Sequence, residues 1–125
     1  MVTQTPADIA IEFLRMCARG DVREAYARHV ADGFIHHNAW FPADRQSLLD
    51  AMEASAQAEP DKVFEVMQVV EGGSRVAVLS RLRRPTAGAE YAVVHILRFE
   101  VGKLVEMWDV GQEVPKDSPN ARGMF

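Results

Sequence analysis

The stretch that most constrains the fold of this chain is Tyr91 to Gln112. Two β-rich runs, Tyr91–Glu100 and Lys103–Gln112, flank Val101-Gly102, and the arrangement reads as a hairpin. Side chains alternate faces along a strand. In the first run Tyr91, Val93, His95, Leu97 and Phe99 share one face. In the second, Val105, Met107, Asp109 and Gly111 share one face, and Glu106, Trp108, Val110 and Gln112 the other. His95 and Asp109 each interrupt an apolar row with an ionisable group. If the two rows line one interior, a histidine and a carboxylate face the same pocket.

The rest of the chain says what closes that interior. Thr5-Pro6-Ala7-Asp8 has the signature of a helix start: a capping hydroxyl, proline in the first turn and an acid near the positive end of the dipole. Ile9, Phe13, Met16 and Cys17 follow at helical spacing until Gly20. Asp21 and Glu24 resemble a capping box opening a second short helix that ends before Asp32-Gly33. Phe34–Asn38 reads as a short strand and Trp40-Phe41-Pro42 as a loop. Asp44 caps a third helix carrying Leu48, Leu49, Met52, Ser55 and Ala56, and Glu59-Pro60 stops it. The period then becomes two. Val63–Val70 and Arg75–Arg83 are strands, with turns at 71–74 and 85–88, and the hairpin follows. Helices first and hairpin strands later predict an α+β fold, with three N-terminal helices on one face of a strongly curved antiparallel sheet. Such a sheet, closed by helices, makes a cone around an interior pocket.

Composition narrows the partners. The 125 residues suit one domain, 1–125, in which 113–125 form a polar C-terminal tail. A net charge of −4 argues against nucleic acid as a partner. The start, Met-Val-Thr-Gln-Thr-Pro, lacks the basic and apolar regions of a leader, and no segment reaches the roughly 20 apolar residues of a membrane span. The expectation is a cytoplasmic protein that does not engage a membrane. Cys17 is the single cysteine, which excludes an intrachain disulfide and a cysteine zinc site. Its place on a helical stripe reads as a small core residue.

The run Gly102–Gln112, with Phe34-Ile35-His36-His37-Asn38 upstream and Gly123-Met124-Phe125 at the end, resembles the SnoaL-like proteins of the NTF2-like superfamily. These are often labelled polyketide-cyclase-like or aldol-condensation-like. The resemblance covers nearly the whole chain and implies the NTF2-like cone. It implies that Asp109 stands where an aspartate of the cyclases acts as general acid or base. It implies further that His95 falls at or next to the position that donates a hydrogen bond to the substrate oxygen in the related ketosteroid isomerases. The isomerase base falls near His37, where this chain has histidine in place of a carboxylate. That departure counts against steroid isomerisation. The outer sheet face commonly makes the dimer in this fold, which implies a homodimer through Trp108 and Val110.

The chemistry expected of these residues is proton transfer beside a carbonyl. A carboxylate in an apolar row is desolvated, so its pKa is expected to rise unless a cation or donors compensate. Such a group suits general acid/base work near neutrality, and a second group must stabilise the developing enolate oxygen. The expected catalytic set is Asp109, His95 and His37, with His36 turned to the helix layer or solvent. Trp40, Asn38, Tyr26, Met107 and Val93 are the candidate substrate contacts, with Phe41 expected beside Trp40 at the pocket mouth. Adjacent histidines on a strand point to opposite faces, so no metal site is assigned. No cofactor is implied. The expected activity is cofactor-independent isomerase, cyclase or aldol-type chemistry on a small apolar carbonyl compound. The alternative is a non-catalytic module that binds a small ligand or assists a partner, in which the pocket's polar groups would satisfy one another. Epoxide hydrolysis would want a second carboxylate and an arginine inside, whereas Arg98 alternates away from His95.

Overall fold

The structure is a computed structural model and describes residues 4–125. Residues 1–3, which open the segment read above as lacking a leader, lie outside the described residues. Helix α1 spans Pro6–Ala18, α2 Val22–His29 and α3 Arg45–Ala58. Strands are β1 Val30–His36, β2 Val63–Gly72, β3 Arg75–Arg84, β4 Ala89–Glu100 and β5 Lys103–Glu113, with a short 3-10 turn at Pro85–Ala87. The sheet order is β1-β5-β4-β3-β2. The last four strands form an antiparallel meander, and β1 adds to β5 in parallel.

Helix α1 starts as its sequence predicts. Thr5 accepts from the Asp8 amide and Asp8 accepts from the Thr5 amide, a complete capping box. Gly20 ends this segment at φ +98°, a conformation that glycine adopts without a Cβ penalty. Asp21 departs from expectation. It makes no side-chain cap, because its carboxylate is taken by Arg19 at 2.6 Å. Asp44 does cap α3, accepting from the Ser47 amide at 2.9 Å.

The helices cover the inner sheet face. Phe13, Leu14, Met16 and Cys17 of α1 meet Val76 and Val78 of β3, Leu97 and Phe99 of β4, and Leu104 and Met107 of β5 in one core. Tyr26 is fully buried in it, between the rings of Phe13 and Phe34.

Two β-bulges set the phase of the strands within the meander, and the β1–β5 pairing has a further register shift between Val30 and Ile35. One lies between Val66 and Gln68 on β2, the other near the hairpin tip, where Arg98 pairs with Glu106 but Phe99 pairs with Leu104. The extra residue there is Val105. Leu104, not Val105, is therefore the buried neighbour of Phe99. Beyond the bulge, His95 pairs with Asp109 and Leu97 with Met107. After β5 the chain turns back, with the Val114 amide donating to Glu90 O at 2.7 Å and the Phe125 ring lying 5.1 Å from the Arg81 guanidinium.

Candidate active site

A cavity of about 280 Å³ opens between the helices and the inner sheet face. Helix α1 contributes Leu14, Cys17 and Ala18, and α3 contributes Leu48, Ala51, Met52 and Ser55. Asn38 and Phe41 come from the loop after β1, and Lys62 from the turn before β2. The sheet supplies Phe64, Leu82, Val93, His95 and Asp109. The lining is mostly apolar, and its ionisable side chains are few.

His95 and Asp109 meet as a cross-strand pair. His95 Nε2 lies 3.7 Å from Asp109 Oδ1, within ion-pair range but beyond a hydrogen bond. The other carboxylate oxygen, Oδ2, accepts from Asn38 Nδ2 at 2.8 Å. His95 is buried, and its Nδ1 has no hydrogen-bond partner among the described residues. Burial holds the imidazole below its ordinary pKa range, with the Asp109 charge acting in the opposite sense. The ring is therefore neutral near pH 7 and carries a single N–H. The Phe64 ring stands edge-on to it at 6.4 Å.

Asn38 is itself held by His36. The His36 Nε2–H donates to the Pro42 carbonyl at 2.6 Å, and Nδ1 accepts from the Asn38 amide at 3.1 Å. A carbonyl can only accept, so these two bonds together fix one neutral tautomer. Asn38 Oδ1 in turn accepts from the Trp40 amide at 3.0 Å. A chain of hydrogen bonds thus runs from His36 through Asn38 to the carboxylate of Asp109.

Of the two adjacent histidines, His37 departs from the sequence expectation, whereas His36 faces the helix-covered side, one of the two placements expected of it. His36 is buried on the inner side and His37 lies outside the cavity. The reason is the phase of β1: Phe34 is drawn into the core, and His36, two residues on, stacks beside it at 6.3 Å. His37 then falls on the outer face, stacked on Trp108 with ring centroids 4.9 Å apart, and donates to Glu106 Oε2 at 2.7 Å. Together His37 and Arg98 hold the Glu106 carboxyl below the usual range.

The remaining expected contacts divide. Val93 and Asn38 line the cavity, and so does Phe41. Trp40 does not, being 85% exposed. Tyr26 and Met107 are core residues outside the lining; the Tyr26 hydroxyl donates to Met52 Sδ at 3.5 Å, and burial pushes its pKa up. Cys17 does reach the cavity, but burial pushes its thiol up to about 12, which keeps it protonated and poorly nucleophilic. Lys62 and Ser55 are the polar lining residues that sequence reasoning missed as a site. The signal available was Lys62 alone, a cation directly before a strand whose next inward residue is Phe64. No group of three or more His, Cys, Asp or Glu side chains placed to hold a metal ion occurs among the described residues. No helix among them is long and apolar enough to cross a membrane.

Three helices on a five-stranded curved sheet, with a largely apolar interior cavity, define a protein of the NTF2-like class. The sequence profile of the SnoaL-like domain matches residues 10–107, and the chain belongs to that family. Solved structures agree on the fold. IdmH from Streptomyces antibioticus, a candidate polyketide cyclase, superposes with a TM-score of 0.75 at 20% identity, over 87% of this chain and 93% of its own. AclR from Streptomyces galilaeus, a candidate hydroxylase, gives 0.72 at 24% identity, over 86% and 88%. A SnoaL-like polyketide cyclase from Agrobacterium tumefaciens gives 0.70 at 20%, over 88% and 93%. A search of curated protein sequences gave no match.

Proposed function

We propose that this chain is a small cytoplasmic enzyme that moves a proton beside the carbonyl of a small apolar compound, without a cofactor. Asp109 is the base that takes the α-hydrogen and returns it as acid. His95 donates its N–H to the oxygen that gains charge. The carrying observation is the His95–Asp109 pair inside the cavity, with Nε2 and Oδ1 3.7 Å apart. That spacing is close enough for one enolisable unit to touch both groups. A neutral, water-poor imidazole suits an oxyanion donor, and an anchored carboxylate beside it suits a base.

The rival reading, a pocket that only binds, expects polar groups that satisfy one another. Among the described residues His95 Nδ1 has no partner, and Nε2 is too far from Asp109 for a hydrogen bond. Both observations favour the enzyme. Membership of the SnoaL-like family supports it at the level of small-molecule chemistry. His37, on the outer face, has no part in the proposed reaction. The proposal includes a second copy of the chain on the outer face carrying Trp108 and Val110.

The test is deuterium exchange at the α-position of cyclic ketones in heavy water, followed by NMR. The protein should accelerate exchange for some member of a panel, and Asp109→Asn should slow it by about a hundredfold with an unchanged circular dichroism spectrum. Near-full exchange by the variant would remove Asp109 from the mechanism.

A further inference from the structure

Lys62 is a charged lining residue that the proposed proton transfer does not use. It lies in the turn between α3 and β2, closed by its own amide donating to Glu59 O at 3.3 Å. Lys62 lines the cavity, and its ammonium donates to Oγ of Ser55, a lining residue of α3. The carboxylates nearest along the chain are Asp61 and Glu59, and both are already engaged: Asp61 Oδ2 accepts from Thr86 Oγ1 at 2.7 Å. Both Glu59 oxygens accept from Arg84, at 2.9 and 3.1 Å. Among the described residues Lys62 forms no salt bridge with any carboxylate.

The result is a cation at the wall of an apolar cavity, held by one hydroxyl. Burial acts on it as on any ammonium removed from water and lowers its pKa, with Glu59 offsetting part of that effect. A cation so placed carries a desolvation cost that a single hydroxyl does not repay, and an incoming anion would relieve it. The cavity is also polarised. Asp109 enters from β5, next to the β1 edge, whereas Lys62 enters beside β2, at the opposite edge. An anionic group is repelled by Asp109 and attracted by Lys62. Between them lie Phe64, Leu82 and Val93, which can bury only apolar atoms.

We infer that the Lys62 end of the cavity binds a carboxylate of the substrate, so that the substrate class is an apolar keto acid rather than a neutral ketone. The inference rests on the acid/base reading for which end receives the carbonyl. The ammonium is the positioning charge: it fixes the carboxylate and leaves the enolisable carbon at Asp109. It takes no part in bond making. The simpler account, a lysine whose stem covers apolar surface while its head reaches water, predicts indifference to the ligand's charge.

The experiment compares 3-(2-oxocyclohexyl)propanoate with its methyl ester by titration calorimetry. The wild-type protein should bind the acid about tenfold more tightly than the ester, the effect of one charge-assisted hydrogen bond. Lys62→Met should erase the preference, and Lys62→Arg, which keeps the charge, should retain most of it. Circular dichroism melts check that each variant folds. No binding of the acid, equal binding of acid and ester, or a preference that survives in Lys62→Met overturns the inference. Exchange of α-hydrogens separates it from the function proposed above. A carboxylate preference without any exchange sinks only the proton transfer, and exchange without the preference sinks only the anion site.

Discussion

At the scale of single residues, the proposed base is held by a neighbour that does no chemistry. Asp109 has two oxygens with different duties. Oδ2 is fixed by Asn38 at 2.8 Å, and Oδ1 is turned towards His95. Fixing one oxygen costs the base little of its reach and removes the rotamer freedom that would blur its aim. Asn38→Ala should therefore lower kcat about tenfold while KM changes by less than about twofold, the pattern of an interaction that matters in the transition state. Steady-state rates on a ketone that wild-type protein turns over provide the check. A change confined to KM would make Asn38 a plain substrate contact. Alternation showed His95 and Asp109 each as an ionisable group in an apolar row, but not that the two rows share one interior. Asn38 was legible as a candidate substrate contact at the end of a short strand, not as the residue that holds Asp109. His36 and His37 could not be assigned from their own positions, since adjacent strand residues are equivalent until something fixes the phase. Phe34 does so, and it does so through burial in a core that the local sequence does not display.

At the scale of elements, the decisive feature is the bulge at Val105. A regular hairpin that pairs Glu100 with Lys103 would continue by pairing Phe99 with Leu104, Arg98 with Val105 and His95 with Trp108. The extra residue moves every later pair by one, and Asp109 comes opposite His95. Without it the tryptophan would turn inward and the carboxylate would face out. The order of helices and strands was readable from periodicity and turn residues, since those are local. The register was not, because unbroken alternation placed Val105 inward where Leu104 is buried. The tip of the same hairpin carries a strain that can be tested. Val101 has φ +50° and is fully exposed, followed by Gly102 at φ +73°. A β-branched residue in the left-handed region is disfavoured there, and nothing packs on it in return. Val101→Asn should stabilise the protein by about 1 kcal/mol, a rise of roughly 4 °C in Tm. Calorimetric melting decides it, and an unchanged or lower Tm would mean that the turn relaxes at no cost.

At the scale of the molecule, the two faces of the sheet differ in character. The inner face carries the cavity and all of the proposed chemistry. The outer face carries exposed apolar side chains, with Val110 at 69%, Val70 at 63% and Val94 at 38% exposure. Around them stand charges that are paired within the chain, such as Arg98 with Glu106 and Arg81 with Glu90. An apolar centre with a polar rim is the pattern of a surface that another protein covers. A two-fold contact would set such a patch against itself, as most homodimers do. A cation placed at its centre then meets its own image across the axis, where like charges repel and neither is solvated. Val110→Arg should accordingly convert a dimer to a monomer in sedimentation velocity runs at equal protein concentration. Because Val110 points away from the cavity, the His95–Asp109 geometry should survive, and any α-hydrogen exchange by the wild-type protein should be retained. A wild-type protein that sediments as a monomer, or a variant that stays dimeric, would leave the outer face without the partner assigned to it. Loss of exchange together with the dimer would show that the cavity depends on its neighbour, although no lining residue comes from the outer face.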